Sequence, residues 1–339
     1  MERKTVIKAL LTLVVFAVIL LSGIVYAQSG SINESDWLKI IDDTCIYDNN
    51  DHAAFTTMEE WNSSLLVAFR EGSAHHATDT DKGRIRVMQK KNRRWKTQHV
   101  FAKEGVDLRD PDIVKYGDKL FLYTLNMNYS ELINKGWTEL KPIVNNAPFK
   151  PSIWKKRVHN NKIYGIGYCW EKWPVLMESE DGINWDVVTE YRIGGNASEA
   201  DICFVRDTMY ICLRIDSPIG SNSMWGKSVY PYKECKWSMM DVSVSSPEMI
   251  QHSENTILLA GRERDFYQNG GKNSTYVTLF AVDLDGNVKE RYIVDKNSGD
   301  QGYPSFYKDK KGNYYMSYYT GQGQTSVRLL TFKVNKEFE

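Results

Sequence analysis

From residue 52 onward the chain repeats one pattern of polar and apolar positions six times. A polar residue, usually followed by a small residue or proline, opens a short apolar run. A polar turn follows, and a second run rich in Leu, Ile, Val or Tyr closes the unit. The copies open at His52, Asp110, Lys150, Glu199, Ser246 and Tyr303, and the closing runs include Leu65-Leu66-Val67-Ala68-Phe69-Arg70 and Ile257-Leu258-Leu259-Ala260-Gly261-Arg262. Apolar runs of this length between turn residues read as strands buried on both faces. Self-similarity with a period near fifty residues is the mark of a propeller, with one four-stranded sheet per repeat. The pattern predicts an all-β, six-bladed β-propeller over residues 45–339, in which Trp37–Ile46 and Val327–Val334 share the closing blade. A β-sandwich is the rival architecture. No alternation of strands with amphipathic helices supports an α/β fold, and the weak helical stretch is Ser130–Lys135.

Composition changes this picture in three places. The first 27 residues carry Arg3, Lys4 and Lys8 ahead of an apolar run from Ala9 to Ala27. They read as a signal peptide cleaved after Ala27, or as an uncleaved N-terminal membrane anchor. Either way the remainder is exported, secreted or periplasmic, with residues 28–44 as a lead-in. Forty-three basic residues balance forty-three acidic ones, so the basic excess that nucleic acid or an anionic membrane favours is missing. Ten Trp and twenty Tyr suit both strand packing and sugar stacking. The five cysteines, Cys45, Cys169, Cys203, Cys212 and Cys235, show no metal-ligand spacing. No phosphate-loop, dinucleotide-binding or G-x-S-x-G motif occurs, so no nucleotide cofactor is expected; no metal site is assigned, and a metal in the axial channel stays open.

In an antiparallel pair, the residue that opens the first strand lies beside the residue that closes the second. The openers His52, Asp110, Asp112, Lys150, Glu199, Asp201, Glu248 and Tyr303 should therefore meet the closers Arg70, Arg214 and Arg262 around the axis. Such a concentration of ionisable groups points to a site, although a solvated, salt-bridged funnel has the same composition.

Ser179-Glu180-Asp181-Gly182-Ile183-Asn184-Trp185 resembles an Asp box, a structural turn between outer strands. Leu66-Val67-Ala68-Phe69-Arg70-Glu71 leads into a loop containing His75-His76-Ala77-Thr78-Asp79-Thr80-Asp81. With the sixfold repeat, these features resemble the sialidase superfamily of glycosidases across roughly residues 45–335. The resemblance implies a glycan substrate, Tyr303 as nucleophile paired with Glu248, and Asp79 or Asp81 as acid/base. It also implies Arg262 as one substrate-binding arginine and matches the strand ending in Arg70; Arg214, His52, His75 and Lys150, read from their own positions rather than from the resemblance, are further candidate contacts. The family's F/Y-R-I-P motif is replaced here by His52-Ala53-Ala54-Phe55, which leaves open whether the terminal sugar is acidic. Two other readings stand beside this one. Asp110, Glu199 and Glu248 could form an inverting, arabinanase-like set acting on a neutral sugar, or the propeller could bind glycans without catalysis.

Overall fold

The structure, a computed structural model, describes residues 35–169, 171–194, 196–217, 221–265, 274–297 and 299–338. The targeting segment 1–27 and the first part of the lead-in lie outside the described residues. Among the described residues there is no helix, and the chain folds into five sheets. Ser130–Lys135 falls largely within the strand Asn128–Ile133.

The sheets are built on antiparallel meanders; in one of them Val144–Asn145 adds a short parallel strand beside Asn184–Glu190. Four of them run in chain order across residues 112–142, 144–190, 196–239 and 244–295. The eight-stranded sheet contains two meanders. One covers His52–Trp61 to Arg94–Phe101, the other Gly302–Lys308 to Gln324–Val334, and they join at a single parallel pair, His52 with Thr325. Leu38–Tyr47 pairs antiparallel with Gln324–Val334. The N-terminal and C-terminal segments therefore share a sheet, and residues 38–44 are a strand of the propeller rather than a lead-in.

Period-two geometry explains why the closing runs are apolar throughout. In Ser64–Gly72, Leu66 and Ala68 pack with Ile113, Leu120 and Leu122 of the following sheet. Leu65, Val67 and Phe69 face the other way, onto Tyr319, Val327 and Leu329. The same division separates Leu258 and Ala260 from Ile257 and Leu259. Six buried apolar clusters of this kind lie between successive meanders, the last between the C-terminal meander and the first. The architecture is propeller-like.

The innermost strands are also stitched together directly. Thr57 Oγ1 accepts from the Ile113 amide at 3.1 Å, and Asp112 Oδ2 from the Lys156 amide at 2.8 Å. Asp201 Oδ2 accepts from the Met249 amide at 2.6 Å, Glu248 Oε1 from the Phe306 amide at 3.0 Å, and Ser305 Oγ from the Met58 amide at 3.0 Å. The remaining link is ionic: Arg157 Nη2 lies 2.6 Å from Asp201 Oδ2 and 2.9 Å from Glu248 Oε2. These contacts form a closed belt, and Lys155 adds its ammonium to Glu248 at 3.3 Å. Burial, with Glu248 alongside, pushes the Asp201 carboxyl up. At Glu248, Arg157 and Lys155 outweigh burial and hold the carboxyl low.

The Ser179–Trp185 turn forms as its sequence requires. Asp181 Oδ1 accepts from the amides of Ile183 at 2.7 Å and Asn184 at 2.8 Å, and Ser179 Oγ from that of Gly182 at 2.9 Å. Gly182 takes φ +80°, and a Cβ there would come within 2.8 Å of Phe121 and Tyr123. Trp185 is fully buried between the second and third meanders.

Candidate active site

The site is built by a kink repeated near the start of the innermost strands. The ladder slips between Ala54 and Thr57, Ile153 and Lys156, Ala197 and Ala200, Ser245 and Glu248, and Gly302 and Ser305. Phe55, Asp110, Ser246 and Tyr303 sit in the left-handed region, with φ between 48° and 62°. A bulge re-aims a side chain and breaks the pairing register, and bulky residues held at positive φ are strained in the way functional sites often are. The bulges bring Phe55, Trp154, Glu199 and Tyr303 to one end of the belt, and Asp110, just ahead of the strand Asp112–Tyr116, joins them through its left-handed backbone. The Tyr303 ring lies 4.6 Å from Phe55 and 5.7 Å from Trp154, centroid to centroid.

Tyr303 is buried, and its hydroxyl donates to Glu199 Oε1 at 2.6 Å. The other Glu199 oxygen accepts from Arg214 Nη1 at 2.7 Å and from the Ser246 amide at 2.6 Å. Burial alone would raise the Glu199 carboxyl, but Arg214 and these hydrogen bonds hold it below its ordinary value. Burial, with Glu199 and Asp110 nearby, drives the Tyr303 phenol far above its ordinary range. The partner of Tyr303 is thus Glu199, and the expected pairing with Glu248 is corrected. Glu248 lies beyond the bulge, so it faces the belt. Asp201, past its own bulge, and Asp112, within the strand that follows Asp110, are likewise belt residues.

Asp110 stands beside this pair. Burial and the charge of Glu199 push its carboxyl up to about 6, against the pull of Arg109. Arg109 Nε lies 3.3 Å from Asp110 Oδ2, and its guanidinium covers the Phe55 ring at 4.7 Å. Asp110 Oδ1 is buried with no hydrogen-bond partner. Asp110, Trp154, Lys155, Phe55 and Tyr303 enclose a small cavity of about 20 Å³.

Asp300, which the repeat did not reveal, organises the opposite wall. Its Oδ2 meets His52 Nε2 and His75 Nδ1, each at 2.6 Å. Its Oδ1 accepts from Tyr319 Oη at 2.6 Å and Arg262 Nη2 at 3.0 Å. These donors outweigh burial and hold the Asp300 carboxyl far below the usual range. Arg262 also donates to the Gln301 carbonyl and lies over the Tyr303 ring at 5.5 Å. His52, His75 and Asp300 have the donor set of a metal site, with ligand atoms within 4.8 Å of one another. Both imidazole nitrogens, however, converge on a single carboxylate oxygen, which is the geometry of hydrogen bonding rather than of ligands around a shared centre.

Apart from His52, the remaining expected residues do not reach this wall. Arg70 is fully buried, with Nε on Asp107 at 2.9 Å and Nη1 on the Ala74 carbonyl at 2.7 Å, so it braces its own loop and offers nothing to a ligand. Asp81 accepts from the Ser73 amide within that loop, and Asp79 is exposed. Lys150 is exposed ahead of the kink, where Trp154 takes the place expected for it. His52 does reach the wall, through Asp300, but is buried and packs edge-on against His75. Among the described residues the five cysteines include no disulfide. A cavity of about 390 Å³ opens beyond the far side of the belt, lined by Glu59, Lys115, Arg157 and His159, away from Tyr303.

No family model and no curated protein matches the chain. Solved structures do. A protein of unknown function from Dyadobacter fermentans superposes with a TM-score of 0.73 at 14% identity, covering 89% of this chain and 100% of that one. The NanB sialidase from Streptococcus pneumoniae gives 0.64 at 10% identity, over 86% of this chain and 70% of that one. The α-L-arabinofuranosidase Arb93A from Fusarium graminearum gives 0.60 at 13% identity, over 86% and 98%. At such identities the likeness concerns architecture, and the chain has the sialidase-like β-propeller fold.

Proposed function

We propose that the chain is an exported, six-bladed propeller glycosidase that removes a terminal sugar from a glycan, with Tyr303 as nucleophile and Glu199 as the base that activates it. The blade count takes the eight-stranded sheet as two blades, which agrees with six inter-sheet cores and a closed belt of six inner strands. Export rests on the character of residues 1–27. The observation that carries the catalytic reading is the 2.6 Å bond from the buried Tyr303 hydroxyl to Glu199. A neutral phenol beside a carboxylate can attack an anomeric carbon while passing its proton to that carboxylate. Asp110 Oδ1 supplies an unpartnered acceptor for a hydroxyl of the bound sugar.

The inverting set is less well supported, because Glu248 belongs to the belt. Glycan binding without turnover draws support from a different observation. Arg214 is paired with Glu199 and Asp216, Arg262 with Asp300, and Arg109 with Asp110. The same pairing leaves Arg214 and Arg262 little freedom to grip a substrate carboxylate and favours a neutral sugar. Mass spectrometry after incubation with 2-fluoro glycosyl fluorides of several sugars tests the mechanism. A glycosyl adduct mapped to Tyr303 is expected. An adduct on another residue would remove the Tyr303 assignment.

A further inference from the structure

We propose that His75, oriented by Asp300, carries the proton to and from the leaving oxygen. This inference rests on the glycosidase reading above. Depth decides the choice. When a terminal sugar fills a pocket, the rest of the glycan points toward solvent, so the proton donor belongs at the mouth. The Asp110 side chain is 9% exposed and lines the cavity under Tyr303. Glu199 is 6% exposed and already holds three donors. Asp79 and Asp81 are held outside.

His75 is 31% exposed and packs edge-on against Phe55 at 5.1 Å, so one aromatic ring separates it from Tyr303. The Asp300 carboxylate accepts from Nδ1–H, which leaves Nε2, on the opposite edge of the ring, for the substrate. Asp300 is itself fixed by Tyr319, Arg262 and His52. The loop that presents His75 is pinned by Arg70 on the Ala74 carbonyl and by Asp107 on the Ala77 amide at 3.3 Å. Such bracing of a proton-transfer group is what precise orientation requires.

The steps balance. Tyr303 Oη gives its proton to Glu199 and bonds to the anomeric carbon. The bond to the leaving oxygen breaks, and that oxygen takes the Nε2 proton of the His75 imidazolium. Water then attacks the anomeric carbon and returns a proton to Nε2, while Tyr303 departs and recovers its proton from Glu199. The net reaction is addition of water across the glycosidic bond.

The test compares wild type, His75→Ala and Asp300→Asn on two aryl glycosides of a sugar the wild type accepts, one with a 2,4-dinitrophenyl and one with a 4-methoxyphenyl leaving group. Departure of 2,4-dinitrophenolate needs no proton. His75→Ala should therefore lower kcat/KM on the 4-methoxyphenyl glycoside by roughly 100-fold or more and on the activated one only a few-fold. Equal losses on both, or no loss, would overturn the assignment. NMR of the His75 ring supplies a second readout. Asp300, His52, His76 and Asp110 face this imidazole, with Arg262 on Asp300 and Arg109 on His76. In Asp300→Asn the Nδ1–H signal, held by a carboxylate in the wild type, should move upfield as that charge-assisted hydrogen bond is lost, and an unchanged signal contradicts the orienting role. Wild type that hydrolyses no glycoside overturns the glycosidase reading and the role that depends on it, while the Nδ1–H signal reports on the Asp300–His75 link independently of turnover.

Discussion

At the scale of single residues, the site separates groups kept charged from groups kept neutral. Glu199 and Asp300 are surrounded by donors and stay ionised, whereas Asp110 is buried with Arg109 as its main compensation. The Asp110 carboxyl is raised to about 6, so the folded protein binds this proton more tightly than the unfolded chain does. Between the ordinary carboxylate range and pH 6 the native state therefore holds the extra proton, and stability falls as pH rises through that window. A shift of this size corresponds to about 3 kcal/mol of cost above pH 6. Asp110→Asn should melt higher than wild type at pH 8 and no higher at pH 4. A variant that gains nothing at pH 8 would show that the carboxyl is not under this strain. Tyr303→Phe makes a contrasting case. Glu199 keeps Arg214 and the Ser246 amide, so the loss of one hydrogen bond should change stability by only about 1 kcal/mol while turnover collapses.

At the scale of elements, the bulge decides which acids become chemistry and which become structure. Glu199 lies within the kink and reaches Tyr303, while Glu248 lies just past its own kink and joins the belt. Removing Glu248 leaves Arg157 and Lys155 short of a buried counter-charge, so Glu248→Ala should lose about 3–5 kcal/mol in chemical denaturation, with turnover by the folded fraction within a few-fold of wild type. A large loss of kcat at unchanged stability would return Glu248 to the active site. Gly83→Ala tests the loop beneath His75, because a Cβ at Gly83 would overlap both Arg70 and Asp107. It should lower the melting temperature and slow the 4-methoxyphenyl glycoside together.

The strands, their pairing and the Ser179–Trp185 turn were legible because period-two runs and turn residues carry that information locally. Tyr303, Glu199, Asp110, Arg214 and Arg262 were legible as members of a converging set. The bulges were not, since a register slip leaves no mark on an apolar run. This is why Phe55 and Trp154, rather than His52 and Lys150, occupy the openings, and why the glutamate partner was misassigned. Asp300 was hidden for another reason: it lies in a connecting segment with no equivalent in the other repeats.

At the scale of the whole molecule, one segment closes the ring. Leu38–Tyr47 supplies the outer strand of the C-terminal meander, and Trp37 and Leu38 pack with Leu330, Phe332 and Phe338. Deleting residues 1–47 should expose the Gln324–Val334 strand as an unpaired edge and give a chain that aggregates or melts without cooperativity. A truncated chain that melts like the full one would show that closure does not depend on this strand. Tyr303, Glu199 and His75 come from three different meanders, so the proposed chemistry exists only while these are held together. The most direct test of the central claim is the rate of aryl-glycoside hydrolysis by wild type and Tyr303→Phe, measured side by side across a panel of sugars. The account predicts turnover of at least one glycoside by the wild type and its loss by orders of magnitude in the variant. Hydrolysis that survives the removal of this one hydroxyl, or a wild-type protein that cleaves none of the panel, would contradict it.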